Sequence, residues 1–311
     1  MSNDYQLTTP VVFIIFNRSD TTRKVFEVIR EVKPPQLFVI ADGARENKVG
    51  EKEKCAVTRA VMDNVDWDCQ VFKNYSDINL GCKKRVATGL EWVFNQVEEA
   101  IILEDDCLPD PSFFQFCQAC LEKYRDDKRM MMICGTNILG QWQPERQSYY
   151  FSYYSNCWGW ATWKRAWEYY DVDMKLWQNS QARDRVKDVL CSKKQYLTLK
   201  ETFEKVYTNQ INTSWAIPWF FTRLSQSGLA ITPAVNLISN IGFTPDGTNT
   251  KASNDSRANL PLNNLKFPLK EPLCVAVDRE HDHIRYQKTW GRKTNSIRKI
   301  LRKAKRLVLK K

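Results

Sequence analysis

Three consecutive acids, Glu104, Asp105 and Asp106, follow the apolar run Ile101-Ile102-Leu103. Carboxylates at the end of a buried strand repel one another and lose hydration unless a cation neutralises them. Their hard oxygens suit Mn²⁺ or Mg²⁺. Mg²⁺ usually takes one or two protein carboxylates and completes its shell with water and phosphate. The chemistry this points to is a divalent metal holding a diphosphate; a solvated acidic turn is the bland alternative. No G-x-x-x-x-G-K-[ST] segment is present, which argues against a P-loop ATPase. Cations able to hold a diphosphate, or its base and sugar, are Arg18 after the first apolar run and Lys83, Lys84 and Arg85 at the start of a predicted helix. For the Lys-Lys-Arg cluster, a solvated helix start fits equally well.

Aromatic residues form the second constellation. In Trp158-Gly159-Trp160-Ala161-Thr162-Trp163-Lys164-Arg165-Ala166-Trp167, a helix would put Trp160, Trp163 and Trp167 on one face. Such a stripe is usually core. Gly159 would nevertheless allow close backbone approach, and flat rings suit sugar faces, so Trp158 and Trp160 are candidates to bind an acceptor. Trp215 and Trp219 repeat the offer, with Pro218 between them. The ten cysteines are scattered, several within apolar runs, and read as small buried hydrophobes rather than a disulfide framework. Cys117 and Cys120 fall on a predicted helix, 112–124, with no second pair to complete a zinc site. His281 and His283, the only histidines, flank Asp282 and read as surface polarity, leaving little material for Ser-His-Asp catalysis.

The elements that must position these groups alternate. Val11–Phe16 is a continuous apolar run rich in β-branched residues, as in a strand buried on both faces. Val25, Phe26, Val28, Ile29 and Val32 then recur at helical spacing, with Asp20 as the expected N-cap and Pro34-Pro35 as the stop. A strand at 37–41 ends in Asp42-Gly43. A helix around 52–64, a strand near 68–73, a helix over 81–97 and a strand at 100–103 follow. This alternation predicts a mostly parallel sheet with helices on both faces. Right-handed crossovers put the strands' C-terminal ends along one rim, where open α/β sheets bind ligands. Asn17, Arg18, Asp42 and the acidic triplet therefore converge. The second half reads less regularly: strands near 130–134 and 149–153, helices around 181–208 and 214–227, and strand-like segments 229–232 and 235–239.

Composition narrows the classes. With 43% apolar and 27% charged residues over 311 positions, the chain is a folded protein with enough length for a full core. Its longest apolar run is far short of the roughly 20 residues of a membrane-spanning helix and lacks the flanks of a signal peptide, so folding is expected to begin in the cytosol. The net charge of +11 is concentrated at one end: residues 285–311 hold 12 Lys or Arg and no acid, leaving the preceding 284 residues at −1. A neutral body argues against nucleic-acid binding. Ile297, Ile300, Leu301, Ala304, Leu307 and Val308 step by three and four between the cations. That pattern is a basic amphipathic helix suited to an anionic membrane surface, with a solvated basic end as the alternative.

Taken together, the residues resemble a metal-dependent nucleotide-diphospho-sugar glycosyltransferase of the GT-A fold, close in pattern to N-acetylglucosaminyltransferase I and its bacterial relatives. The matching pieces are Val11–Arg18, Asp42-Gly43, Lys83–Gly89, Ile101–Asp106, Pro109-Asp110-Pro111-Ser112-Phe113-Phe114 and the Trp158-Gly159-Trp160 turn, within residues 9–245. The resemblance implies one catalytic domain, 1–284, with a nucleotide-binding half (9–130) and an acceptor half (131–245), followed by the basic tail 285–311. It implies that Asp106 binds Mn²⁺ (or Mg²⁺), that Asp105 meets the ribose, and that Asn17, Arg18, Asp42 and Glu104 line the nucleotide. Lys83 and Arg85 would lie near the diphosphate. A hexosyl- or N-acetylhexosaminyl group would pass with inversion from a UDP-sugar to a glycan or lipid-linked acceptor, at the inner face of the membrane. The family's base lies in a Trp-acid-acid-Trp segment, and here the chain departs: Trp215-Ala216-Ile217-Pro218-Trp219 carries no acid. Asp246 is the nearest replacement. A catalytically silent sugar-nucleotide-binding or membrane-associated scaffold on the same fold is the alternative, and a metal-dependent phosphohydrolase a third reading.

Overall fold

The structure, a computed structural model, describes residues 5–211, 215–243 and 257–291. It begins with β1 (Val11–Ile15), α1 (Ser19–Val32), β2 (Gln36–Ala41), α2 (Glu51–Ala60), β3 (Gln70–Tyr75), α3 (Cys82–Phe94) and β4 (Glu99–Glu104). The first three helices alternate with the strands, as the apolar spacing predicts. Asp20 is not the cap of α1: that position is Arg18, with no capping side chain, and Asp20 lies in the first turn, where a negative charge suits the helix dipole. The expected helix over 52–64 ends as α at Ala60 and tightens into a 3₁₀ turn, Val61–Asn64.

Next come β5 (Cys107–Pro109), α4 (Ser112–Lys123), β6 (Met130–Cys134), β7 (Tyr149–Ser152), β8 (Trp160–Trp163), α5 (Lys164–Trp167), α6 (Ser180–Leu190), α7 (Lys193–Tyr207), α8 (Ala216–Ser225), β9 (Leu229–Pro233), β10 (Ile238–Asn240) and α9 (Arg279–Tyr286). Eight strands form one sheet in the order β3-β2-β1-β4-β8-β6-β9-β7, and β10 pairs with β5 in a two-stranded ribbon. Strands β8 and β7 run against the other six, so the sheet is mostly parallel, as expected.

All of β1 is buried, and its alternating side chains feed two cores. Val11, Phe13 and Ile15 pack with Val25, Phe26 and Ile29 of α1 and Phe116 and Cys117 of α4. Val12 and Ile14 face Val86, Leu90 and Val93 of α3 and a tryptophan cluster. A third core, around Trp177, Phe203 and Phe221, joins α6, α7 and α8.

Three expectations change in the second half. The Trp-rich segment is a strand followed by a short helix, so Trp160 and Trp163 point into opposite cores instead of sharing a helical stripe. The single helix expected over 181–208 breaks at Cys191, which is left-handed with φ 52° and caps α6. The strand expected at 235–239 is the shorter β10. Every cysteine is a free thiol, and Cys117 and Cys120 are buried, as their apolar setting predicts.

The C-terminal boundary also moves. The folded body does not end at residue 284: Arg285 and Tyr286 belong to α9 and are buried, and the helical backbone continues through Gln287–Gly291. The amphipathic helix expected beyond that point lies outside the described residues. His281 is likewise not surface polarity. It is 1% exposed, with Nε2 and the Tyr150 hydroxyl 2.8 Å apart. Asp282 accepts hydrogen bonds from the Ser152 hydroxyl and the Tyr153 amide, fastening α9 to the end of β7.

Burial holds the His281 pKa below its usual value, against the pull of Asp282. The unfolded chain therefore takes up a proton near pH 6.5 before the folded chain does, and this contribution to stability fades as pH falls below that point. Thermal unfolding from pH 7.5 to 5 should show the wild type losing its advantage over His281→Gln as acid is added. A constant difference would show that His281 takes up its proton at the same pH in both states.

Candidate active site

In the sheet order β1 and β4 are neighbours, with β2 and β3 beyond β1 and the later strands beyond β4, so the order reverses between them, the position at which open α/β sheets bind ligands. A cavity of about 1260 Å³ opens there, lined by the residues after β1, β2 and β4 and by the start of α3. Asn17, Arg18, Asp42, Lys83, Arg85 and the acidic triplet all border it, so the convergence expected from topology holds. The volume exceeds the roughly 300–1,000 Å³ of a typical small-molecule cleft and leaves room for two reactants.

Arg18 is the hub. Its guanidinium pairs with Asp105 and, at 3.0 Å, with Asp106 Oδ2. Burial works against the charged guanidinium, but the two carboxylates outweigh it and hold Arg18 protonated. The Phe16 amide donates to Asp105 Oδ2 at 3.3 Å, and the Asp105 amide donates to Ile14 O at 2.9 Å, which locks the ends of β1 and β4 together. Behind the triplet, Gly242 approaches so closely that a Cβ would sit 2.1 Å from Asp106 Oδ2. Only glycine fits there.

Among the described residues no arginine forms an ion pair with Glu104, whose Oε1 accepts a hydrogen bond from Trp215 Nε1 at 3.3 Å. Burial, then the charges of Asp106 and Asp105, push the Glu104 pKa up, and burial also raises Asp105 despite Arg18. Among the described residues one guanidinium pairs with these three acids, which leaves the triplet itself short of positive charge. Among the described residues no three His, Cys, Asp or Glu side chains form a ready metal cage. A hard divalent ion that takes one carboxylate and completes its shell with phosphate and water fits this donor set; an all-protein site does not. Arg18 already holds Asp106 Oδ2, so such an ion would share or displace that contact.

Several expected nucleotide contacts have structural partners. Asp42 is 7% exposed: Oδ1 accepts from the Gly43 and Leu80 amides at 3.0 and 2.9 Å, and Oδ2 from the Gly81 amide and Asn79 Nδ2 at 2.9 and 3.2 Å. It staples the end of β2 to the turn that starts α3. Arg85 is buried beneath that turn and donates to Ala41 O and to the backbone and side-chain oxygens of Asn74, joining β2 and β3. Asn17 Nδ2 donates to Glu51 Oε1 at 2.9 Å. Lys83, half-buried at the rim of the cavity, is the cation best placed for an anionic ligand.

Sequence reasoning missed Arg45. It borders the cavity, pairs with Glu51 and lies over the Phe16 ring, 5.6 Å from its centroid. Its position two residues after Asp42-Gly43, beyond a strand end, was the available signal.

The acceptor tryptophans divide. Trp158 is half-buried and borders the cavity, its ring against Phe243. Trp160, Trp215 and Trp219 do not face the cavity: they are at most 2% exposed and pack together, with Trp160 and Trp215 stacked at 5.0 Å. Core packing claims these three, and Trp215 reaches the site only through Glu104. Asp246 lies outside the described residues.

No protein-family model matches the chain, and no curated protein matches its sequence. Among solved structures, apo mouse xyloside xylosyltransferase 1 is similar at 8% identity and TM-score 0.36, over 70% of this chain and 82% of that one. A 4-diphosphocytidyl-2C-methyl-D-erythritol synthase from Anaerococcus prevotii is similar at 8% identity and TM-score 0.38, over 74% and 90%. A putative nucleotide-diphospho-sugar transferase from Desulfovibrio desulfuricans is similar at 9% identity and TM-score 0.31, over 55% and 71%. Scores this low carry no functional argument, and the case for function rests on the residues of the cavity.

The Asp42 staple is open to test. An amide in place of the carboxylate offers one acceptor oxygen instead of two, so Asp42→Asn strands buried amides and should cost about 2 kcal/mol of stability by chemical denaturation. An unchanged midpoint would mean that Asp42 does not hold the turn.

Proposed function

We propose that the protein is a glycosyltransferase that moves a sugar from a nucleotide-diphosphate donor, a UDP-sugar in the first instance, to a glycan or lipid-linked acceptor. The observation that supports this most is the under-neutralised Glu104-Asp105-Asp106 triplet at the switch point, its two aspartates buried, which borders the same cavity as Lys83. Asp106 would hold Mn²⁺ or Mg²⁺, which when bound neutralises the diphosphate as it departs. Lys83 adds a further charge to that diphosphate, while Arg18 and Asp105 orient the nucleoside. Transfer with inversion has the acceptor oxygen attack the anomeric carbon as the diphosphate leaves with the bonding pair. A carboxylate removes the hydroxyl proton, a step worth roughly 10²–10⁴ in rate. Ala216 and Ile217 cannot do this, and Asp246 is the carboxylate we assign to it.

A second reading, a silent sugar-nucleotide-binding scaffold, draws support from those same two residues. Transfer of a labelled donor sugar separates the two. The basic end supports attachment to the inner face of a membrane: residues 292–311 keep ten of the twelve terminal cations, each worth about 1 kcal/mol near an anionic surface before screening. Among the described residues no helix is long and apolar enough to cross a membrane.

Two outcomes are expected. Asp106→Asn should abolish the Mn²⁺-dependent part of UDP binding in calorimetry while the fold is retained; equal affinity would remove the metal assignment. The full chain should co-sediment with anionic but not neutral vesicles, less so as salt rises, and a chain ending at Gly291 should not. That endpoint spares the buried Arg285 and Tyr286. Equal binding by the shorter chain would place the membrane contact elsewhere.

A further inference from the structure

A second depression, of about 370 Å³, adjoins the large cavity and shares Lys83, Val172 and Asp173 with it. Beyond that shared edge it runs between the turn after α5 and the C-terminal end of α7, with Lys175, Gln178, Tyr207 and Asn209 on its walls. Apart from Lys83 on the shared edge, the nucleotide contacts described above line only the large cavity.

Both walls are fixed by buried anchors. On one, Met174 and Trp177 are 1% exposed and plug the third core, and Trp177 Nε1 donates to Glu204 Oε2 at 2.8 Å. The Asp173 amide donates to Asp171 Oδ1 at 3.0 Å, closing the turn. Upstream, Tyr170 stacks on Trp167 at 4.2 Å and donates its hydroxyl to Trp215 O at 3.2 Å, tying this wall to the tryptophan cluster behind Glu104. On the other wall, α7 ends at Tyr207, and Asn209 is left-handed with φ 55°. Met174 is also left-handed, with φ 53°. Asparagine tolerates that conformation, whereas a long apolar side chain adopts it at a cost. Of the two residues lining this depression Met174 carries the strain, and backbone strain of this kind gathers where a fixed geometry is used.

The lining selects a chemical class. Gln178 and Asn209 each present a donor and an acceptor, matching hydroxyls that both give and take hydrogen bonds. Tyr207 adds an aromatic surface, and Lys83, Lys175 and Asp173 bring charges of both signs. A lipid tail would need a largely apolar slot, and a free phosphate a purely cationic one.

We propose that this depression is an acceptor subsite for an oligosaccharide, holding a sugar unit next to the one that reacts in the main cavity. It rests on the glycosyltransferase reading and narrows the acceptor to a glycan of two or more units.

The test titrates the full chain, without nucleotide, with fluorescently labelled mono-, di- and trisaccharides of glucose, galactose and N-acetylglucosamine. In at least one series the trisaccharide should bind about tenfold more tightly than the monosaccharide, the scale of one or two hydrogen bonds. The variant Gln178→Ala/Asn209→Gly, which keeps a residue tolerant of positive φ at 209, should lose that gain while UDP affinity is unchanged. The proposal is overturned by either of two results: no length dependence in any series, or a dependence that survives the double substitution. Loss of UDP binding in the wild type would count against the donor site alone, because the oligosaccharide titration contains no nucleotide.

Discussion

Everything at the head of the sheet is arranged around one electrostatic problem: three carboxylates at the end of a buried strand, with a single guanidinium among them. Isolated buried charges cost many kilocalories per mole, so their neighbours must compensate. The fold does so in part. Arg18 bridges two of the acids, the Phe16 amide serves one, and Trp215 serves the third. The remaining deficit is what the proposed divalent cation, accompanied by an anionic ligand, would meet.

That arrangement explains why the surrounding residues look the way they do. Gly242 is forced by contact with Asp106 and Arg18, and the β5–β10 ribbon brings it there through the Ile241 amide, which donates to Asp106 O at 2.8 Å. Asp42 and Arg85 are polar residues at the cavity whose hydrogen bonds are spent holding strand ends and turns. Asp42 shapes the site with both carboxylate oxygens already satisfied. The tryptophan cluster has the same character, a rigid aromatic block that presents one N–H to Glu104 and supports the turn beyond α5.

The first half of the fold was legible because its signals are local. β1 reads as an unbroken apolar run, α1 repeats at helical spacing, and the rim follows from handedness alone. The convergence of Arg18, Asp42 and residues 104–106 needed nothing more. What sequence could not supply was partner choice. Asp42 and Arg18 are both polar residues after strands, yet one is saturated by amides and the other by carboxylates. Trp160 and Trp215 looked like ligand platforms because ring chemistry says nothing about burial. His281 and Asp282 looked exposed because their partners, Tyr150 and Ser152, lie about 130 residues away. Asp246 stays a sequence argument.

The docking of α9 has a consequence for how the chain is made. Asp282 closes onto Ser152 and the Tyr153 amide, and Arg285 onto Ser155 O, across most of the second half of the sequence. Closing so long a loop carries an entropic penalty that only the finished contact repays. On the ribosome, synthesis runs from β1 toward α9, so β1 to β4 can assemble their parallel pairing early. β7, an edge strand of the sheet, must wait for the last helix to emerge before its end is covered. Nascent chains interrupted before that helix would present an open strand end, and the cell's chaperones would meet the protein in that state.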